Sequence, residues 1–477
     1  MPIKQFLLRL TLIAGILPLI AILISNRAYA SSYLVYAGIA GMIGVYVKTL
    51  DLAISVPIFF VFLLGYFQRY LFLIIFPEYS DFTVFQSRNT FESAEITTAF
   101  LFMLLCLISM YVGIRLHKTF ANGQPVPLQS MKAHSPIKAF IFYTCFSSAL
   151  TMYLLIVESV GIQGGEDSSL GFLTRIFDME ASIFALMFIL VACHKELTKQ
   201  QRNITLILLA SYACFSVARG GRSGLIYIAI VLLFAAVVAN RMHFIKVRYV
   251  VYTIAGLFIL GPIYFNLGFI IRMYWLEDIN LSFSDLTSAT PDAFNFLLNN
   301  ISNRLGELDH LVAIVNHFEL NDYSTADRFF PVIQNTLKGF LPGLIFTTDT
   351  VSLDRMFTYS FRDIPLTVQH AEHWGGFGAG YGYFGYAGAL VYFFLFGWVF
   401  SAIVHRFRRY PSDSIMALIF TSILYCFYSN LYTAYWELLL AGLGRFIIIV
   451  CLIVAAHKFM QMMFATENRP VLDGRQS

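Results

Sequence analysis

Twelve stretches of this 477-residue chain are each apolar for about 20 residues, the length a helix needs to cross the hydrocarbon core of a bilayer. They centre near Ile13, Gly41, Phe60, Leu105, Thr151, Phe188, Leu208, Leu233, Leu257, Phe393, Leu424 and Ile449. In lipid a chain must satisfy its own backbone N–H and C=O groups, so runs of this length are expected as helices rather than open strands. A composition with 58% hydrophobic and only 13% charged residues excludes a soluble protein of this size. The expected fold is an all-α polytopic membrane protein with about 12 transmembrane helices.

Positive charge orients these helices. Arg115, Lys118, Lys132 and Lys138 share one connection; Lys195, Lys199 and Arg202, then Arg241, Lys246 and Arg248, then Arg406, Arg408 and Arg409 occupy three more on the same side. Short cytoplasmic loops collect Lys and Arg, so this side is assigned to the cytoplasm and both termini lie inside. The chain then divides into helices 1–9 (residues 1–271), one large periplasmic loop (272–383), helices 10–12 (384–458) and a cytoplasmic tail (459–477). Lys4, Arg9 and the small-residue sequence Ala28-Tyr29-Ala30 also resemble a cleavable signal peptide. The apolar run to Ile24 is long for a signal core, and it is read as the first span.

What the two faces have room for narrows the chemistry. The largest cytoplasmic link, His117 to Lys138, is too short for a nucleotide-binding domain. The chain also has neither a Walker lysine loop nor a glycine-rich dinucleotide turn after a strand. There is no Asp-x-Asp pair for a metal-bound nucleotide sugar and no Cys or His spacing of a zinc site, so neither a metal nor a cofactor is expected. The six cysteines lie in or at the ends of spans, which implies no disulfide framework. A net charge of +4 spread over both faces suits anionic lipid headgroups rather than nucleic acid.

Charge on the outer face is unusual in kind. About eleven arginines but one lysine fall there. Arginine grips phosphate oxygens in pairs through a planar fork of donors, which lysine cannot do, so an outward site for a pyrophosphate-linked substrate is expected. Arg219-Gly220-Gly221-Arg222-Ser223-Gly224 joins the seventh and eighth helices in a tight turn. Its glycines permit an anion-binding nest beneath two guanidinium groups, or a simple turn whose arginines reach lipid phosphates. Arg272, Arg304, Arg328, Arg355 and Arg362 follow in the large loop. Arg445 lies well inside the last span, where a guanidinium needs an ionic partner or a water-filled cavity. Arg69, near the outer end of the third helix, reads similarly.

Ile301, Leu305, Leu308, Val312 and Val315 recur at helical spacing, which predicts an amphipathic helix from about Ile301 to Phe318. Glu307 and His310 on this segment, with His370, Glu372 and His373 further on, are the outer-loop candidates for a general base, each also readable as a solvated polar residue. A run of Gly375, Gly376, Gly378, Gly380 and Gly382 then leads into the tenth helix, as a hinge or as a close-approach surface.

The many-spanning layout, the Arg-Gly-Gly-Arg-Ser-Gly turn, the long late loop, the glycine-rich approach to the next helix and the arginine in the last span together resemble the O-antigen polymerases, the Wzy-type oligosaccharide repeat-unit polymerases. Some members place a glycine eleven residues after an arginine in an outer loop, and Arg328 with Gly339 fits this, whereas Arg219 and Arg222 do not. The resemblance implies a membrane glycosyltransferase of the bacterial inner membrane. It would move a growing glycan from undecaprenyl pyrophosphate to an incoming lipid-linked repeat unit, and it admits a chain-length regulator as partner. An O-antigen ligase shares the layout and differs in its acceptor. A lipid-linked oligosaccharide flippase is the rival of another class, and would carry its charges in a central cavity.

Overall fold

The computed structural model describes residues 3–25, 29–75, 91–120, 137–158, 197–218, 224–239, 307–318, 374–408, 414–433 and 451–455, with positions 190, 333, 359, 458, 459 and 462. All regular elements among them are helical. We number the main ones α1 (Ile3–Ser25), α2 (Ala30–Thr49), α3 (Leu52–Ile75), α4 (Ser93–Phe120), α5 (Ile137–Glu158), α6 (Lys199–Ala218), α7 (Gly224–Val238), α8 (Leu308–His317), α9 (Gly375–Arg408) and α10 (Ser414–Thr433).

Five of these, α1 to α4 and α9, are long and apolar enough to cross a membrane, and shorter apolar helices cover Ala139–Tyr153, Ala229–Val238 and Leu418–Tyr432. These are the helices of an all-α, multi-pass membrane protein. Nine of the twelve expected span centres fall within helices; those at Phe188, Leu257 and Ile449 lie outside the described residues. α3 is the most enclosed of the five spans and α1 the most exposed. Leu12, Ile13, Ile16, Leu23 and Ile24 of α1 are accordingly bare, as side chains that face lipid can be.

Packing between spans relies on small residues and on hydroxyls that donate to backbone carbonyls, because apolar surface alone gives little preference for protein over lipid. Tyr36 Oη donates to Ala14 O (2.9 Å), joining α2 to α1, and Tyr46 Oη donates to Leu107 O (2.7 Å), joining α2 to α4. The tightest pairing is α4 with α9. Ser109 Oγ donates to Leu390 O at 2.6 Å. A Cβ at Gly113 would strike the Phe394 carbonyl oxygen, and one at Gly397 the Met110 carbonyl oxygen. Gly397→Leu therefore has to part the two backbones, at an expected cost of about 1–3 kcal/mol. Thermal unfolding of the detergent-solubilised protein would read this as a lower midpoint; an unchanged midpoint would mean that the helices are not in backbone contact there.

A straight helix of the 34 residues of α9 would be about 50 Å long, well beyond a core of about 30 Å. It is not straight. Gly385 has φ 70° and ψ −175°, a conformation open to glycine and strained for a residue with a side chain. Phe377 stacks on Phe393 with centroids 4.9 Å apart, and Phe384 on Tyr392 at 5.3 Å. Residues 377 and 393 would lie about 24 Å apart in a continuous helix. The chain thus folds back at Gly385 into a hairpin of a short first limb (375–384) and a long second limb (386–408). The second limb runs parallel to α4, with Tyr386 against Phe102 at one level and Ser401 beside His117 further along.

The helix expected over Ile301 to Phe318 is observed as α8; residues 301–306 lie outside the described set. Leu308 and Val312 are buried as the spacing predicts, but so are Asp309, Leu311, Ala313 and Ile314. α8 is enclosed nearly all round rather than lying on a surface, because it packs between α4 and α9 and meets α3 at its N-terminus.

Candidate functional site

The site is built where α3 loosens. Residues Phe62–Phe67 form a π turn, in which Gln68 N–H donates to Leu63 O five residues back. Such turns recur at functional positions because they bulge the backbone and redirect its polar groups. Here Gly65 O, near the middle of α3, accepts the backbone N–H of Glu307 at 2.9 Å. The absence of a side chain at Gly65 makes room for the Glu307 stem: a Cβ there would lie 3.4 Å from Glu307 Cγ and 3.5 Å from Tyr432 Cε2.

One turn further along α3, Arg69 anchors the same helix. Arg69 Nε donates to both carboxylate oxygens of Asp309, at 3.1 and 2.9 Å, and Nη2 lies 2.9 Å from Oδ2. The pair is almost fully enclosed. A guanidinium in an enclosed membrane span needs a partner, and the planar fork of Arg fits a carboxylate in a way Lys would not. Burial raises Asp309 above the ordinary carboxylate range, and the adjacent guanidinium offsets part of that rise. At its other end α8 is held by Asn316 Nδ2 donating to Glu95 O (3.1 Å) and by His317 Nε2 against Glu95 Oε1 (2.8 Å). The chain around Glu307 and His310 is fixed at both ends to spans.

Within that frame Glu307 is 2% exposed. Its Oε2 lies 3.6 Å from His310 Nδ1, longer than a hydrogen bond but close enough for the carboxylate to favour the tautomer with its proton on Nδ1. The His310 side chain is 15% exposed, against 2% for Glu307. Oε2 also faces the start of α9: a Cβ at Gly375 would be 3.0 Å from it and 3.4 Å from Tyr66 Oη. Gly375 has φ 66°, and negative charge is favoured beside a helix N-terminus. Gly376 is closer still to its neighbour, where a Cβ would lie 2.5 Å from Leu431 O. Tyr428 and Tyr432 of α10 stack at 5.5 Å and complete an aromatic wall with Tyr66 and Phe377. A carboxylate behind a histidine, in a largely dry surround, can hold the imidazole ready to take a proton through Nε2.

Of the candidates named from sequence, the structure brings together Glu307 and His310. Arg219, Arg222, Arg272, Arg304, Arg328, Arg355, Arg362 and Arg445, together with His370, Glu372 and His373, lie outside the described residues. The solvated reading of Glu307 is not what the structure has, since its side chain packs against Gly65 of α3 and Gly375 of α9, and Asp309 beside it is buried against Arg69 of α3. The glycine run is a close-approach surface: Gly376 meets Leu431, Gly378 meets Ile314, Gly380 meets Phe393 and Gly382 meets the Trp374 ring. Sequence reasoning missed Tyr66 and the partner of Arg69. An arginine inside an apolar run was the available signal, but its carboxylate lies 240 residues away. Set against protein-family models, curated proteins and solved structures, the chain matches none of them.

Proposed function

We propose that this protein polymerises lipid-linked oligosaccharide repeat units on the outer face of the bacterial inner membrane, with twelve spans and the 272–383 segment on the periplasmic side. The observation that carries the reading is a histidine backed by a buried carboxylate, His310 with Glu307, on a helix anchored to the spans. The arginine bias of the same face and the resemblance to Wzy-type polymerases supply the substrate class.

In this reading His310 Nε2 takes the proton of the acceptor hydroxyl as that oxygen bonds to the anomeric carbon of the donor glycan. The bond from that carbon to undecaprenyl pyrophosphate breaks, and its electron pair leaves with the pyrophosphate. The leaving group is already good, so the remaining work is to hold two lipid-linked substrates in register and to stabilise the charge that develops. Arg219, Arg222, Arg272 and Arg445 are the residues assigned to that charge, with Arg304, Arg328, Arg355 and Arg362 as further contacts.

The test is the surface glycan of the native bacterium after deletion of the gene. Wild type is expected to restore a ladder of repeat lengths from a single repeat unit, and well-expressed Arg219→Ala, Arg222→Ala and Arg445→Ala proteins are expected not to. Loss of all attached repeat units on deletion would instead indicate a ligase or a flippase, and an unchanged ladder would overturn the proposal.

A further inference from the structure

α8 docks well below the end of a span. The 24 residues of α3 make it about 36 Å long, against a hydrocarbon core of about 30 Å that about 20 residues cross. Gly65 lies about 15 Å along the axis from the outer end of α3 at Ile75. Even with every surplus residue protruding on the outer side, Gly65 stays about 9 Å beneath the edge of the core. Its carbonyl is the one that accepts the Glu307 N–H at 2.9 Å.

From that level α8 runs outward. Arg69, one turn nearer to Ile75, holds Asp309. At the other end Asn316 and His317 reach Glu95, in the first turn of α4, the end opposite Arg115 and Lys118. The 10 residues of α8 cover about 15 Å, the rise that separates Gly65 from Ile75. Contacts at three levels of two spans thus agree on one direction and one length.

A segment that reaches this depth without crossing is tolerated only where protein encloses it and its backbone finds partners. α8 meets both demands. Leu308, Leu311, Val312, Ala313 and Ile314 are fully buried. At the deep end the π turn of α3 lies alongside, and Gly65 within it gives its carbonyl to Glu307. The deepest ionisable side chains are also matched, as charge inside a membrane requires: Asp309 has Arg69, and Glu307 faces His310.

We infer that residues 307–318 form an intramembrane helix entering from the outer face, which puts Glu307, with His310 beside it, about 9–15 Å beneath the outer edge of the hydrocarbon core rather than in a soluble domain above it. Joined to the polymerase reading above, on which this further step rests, the placement means that the acceptor hydroxyl is brought below the lipid headgroups to meet His310.

Cryo-electron microscopy of the full-length protein in lipid nanodiscs tests the depth, because both headgroup layers are visible beside the helices. Glu307 Cα is expected about 10 Å or more inside the outer headgroup layer, with His317 close to that layer. Glu307 level with the outer layer or beyond it would overturn the inference, and so would an α8 lying flat along the layer. An unchanged glycan ladder on gene deletion removes the polymerase reading instead and leaves the depth of α8 standing, so the two fail separately.

Discussion

Arg69→Met is expected to destabilise the protein by about 3–5 kcal/mol, because it leaves Asp309 as an uncompensated charge in an enclosed site. The loss should depend on pH in a defined direction. Burial already holds the Asp309 carboxyl above its ordinary value, and removing the guanidinium takes away the influence that lowers it. The folded variant therefore binds its proton more tightly than the unfolded chain does. Arg69→Met should be most stable at acid pH, where Asp309 is neutral, and should lose stability as pH rises through the elevated Asp309 value. The double variant Arg69→Met with Asp309→Leu should recover most of the loss, since a buried ion pair replaced by apolar groups of similar volume is often neutral. Thermal unfolding in detergent across a pH series checks all three. Equal damage in the single and double variants would show that the pair's geometry, rather than its charge balance, holds α8 in place.

Glu307→Gln and His310→Ala are expected to reduce polymer formation by about 10²- to 10⁴-fold each, the usual contribution of a positioned proton acceptor. The two should not multiply, because they form one unit: without the imidazole the carboxylate has nothing to orient. The rate of chain extension on undecaprenyl-pyrophosphate-linked repeat units is the measurement, with membrane abundance controlled. Variants that fold and extend chains at the wild-type rate would remove this pair from the mechanism and leave His370, Glu372 and His373 as the bases to test.

What the local sequence dictates differs from residue to residue. The run around Leu105 is a helix because its apolar stretch is long enough to span lipid, a local property, and α4 appears where that run does. Leu308 and Val312 could be assigned to a buried face from spacing alone. The Asp309 beside them could not, since a charge at that position reads as a solvated residue until Arg69 is brought against it. The glycines before the tenth span were visible as a cluster, yet the reversal of the chain occurs at Gly385, just past that cluster. Which glycine turns depends on where Phe377 and Phe384 find Phe393 and Tyr392 to stack on.

Chain composition and the length of its apolar runs were sufficient to settle that this protein is helical and lives in a membrane, because the hydrocarbon core imposes its length and its hydrogen-bonding demand on each segment separately. The pairing of Arg69 with Asp309, the docking of Glu307 on Gly65, and the hairpin that brings Gly375 to Glu307 and Tyr66 are contacts between segments far apart in the chain. They come from the packing of whole helices, where the burial of a charge is decided by what several neighbours supply together and by no residue's own preference.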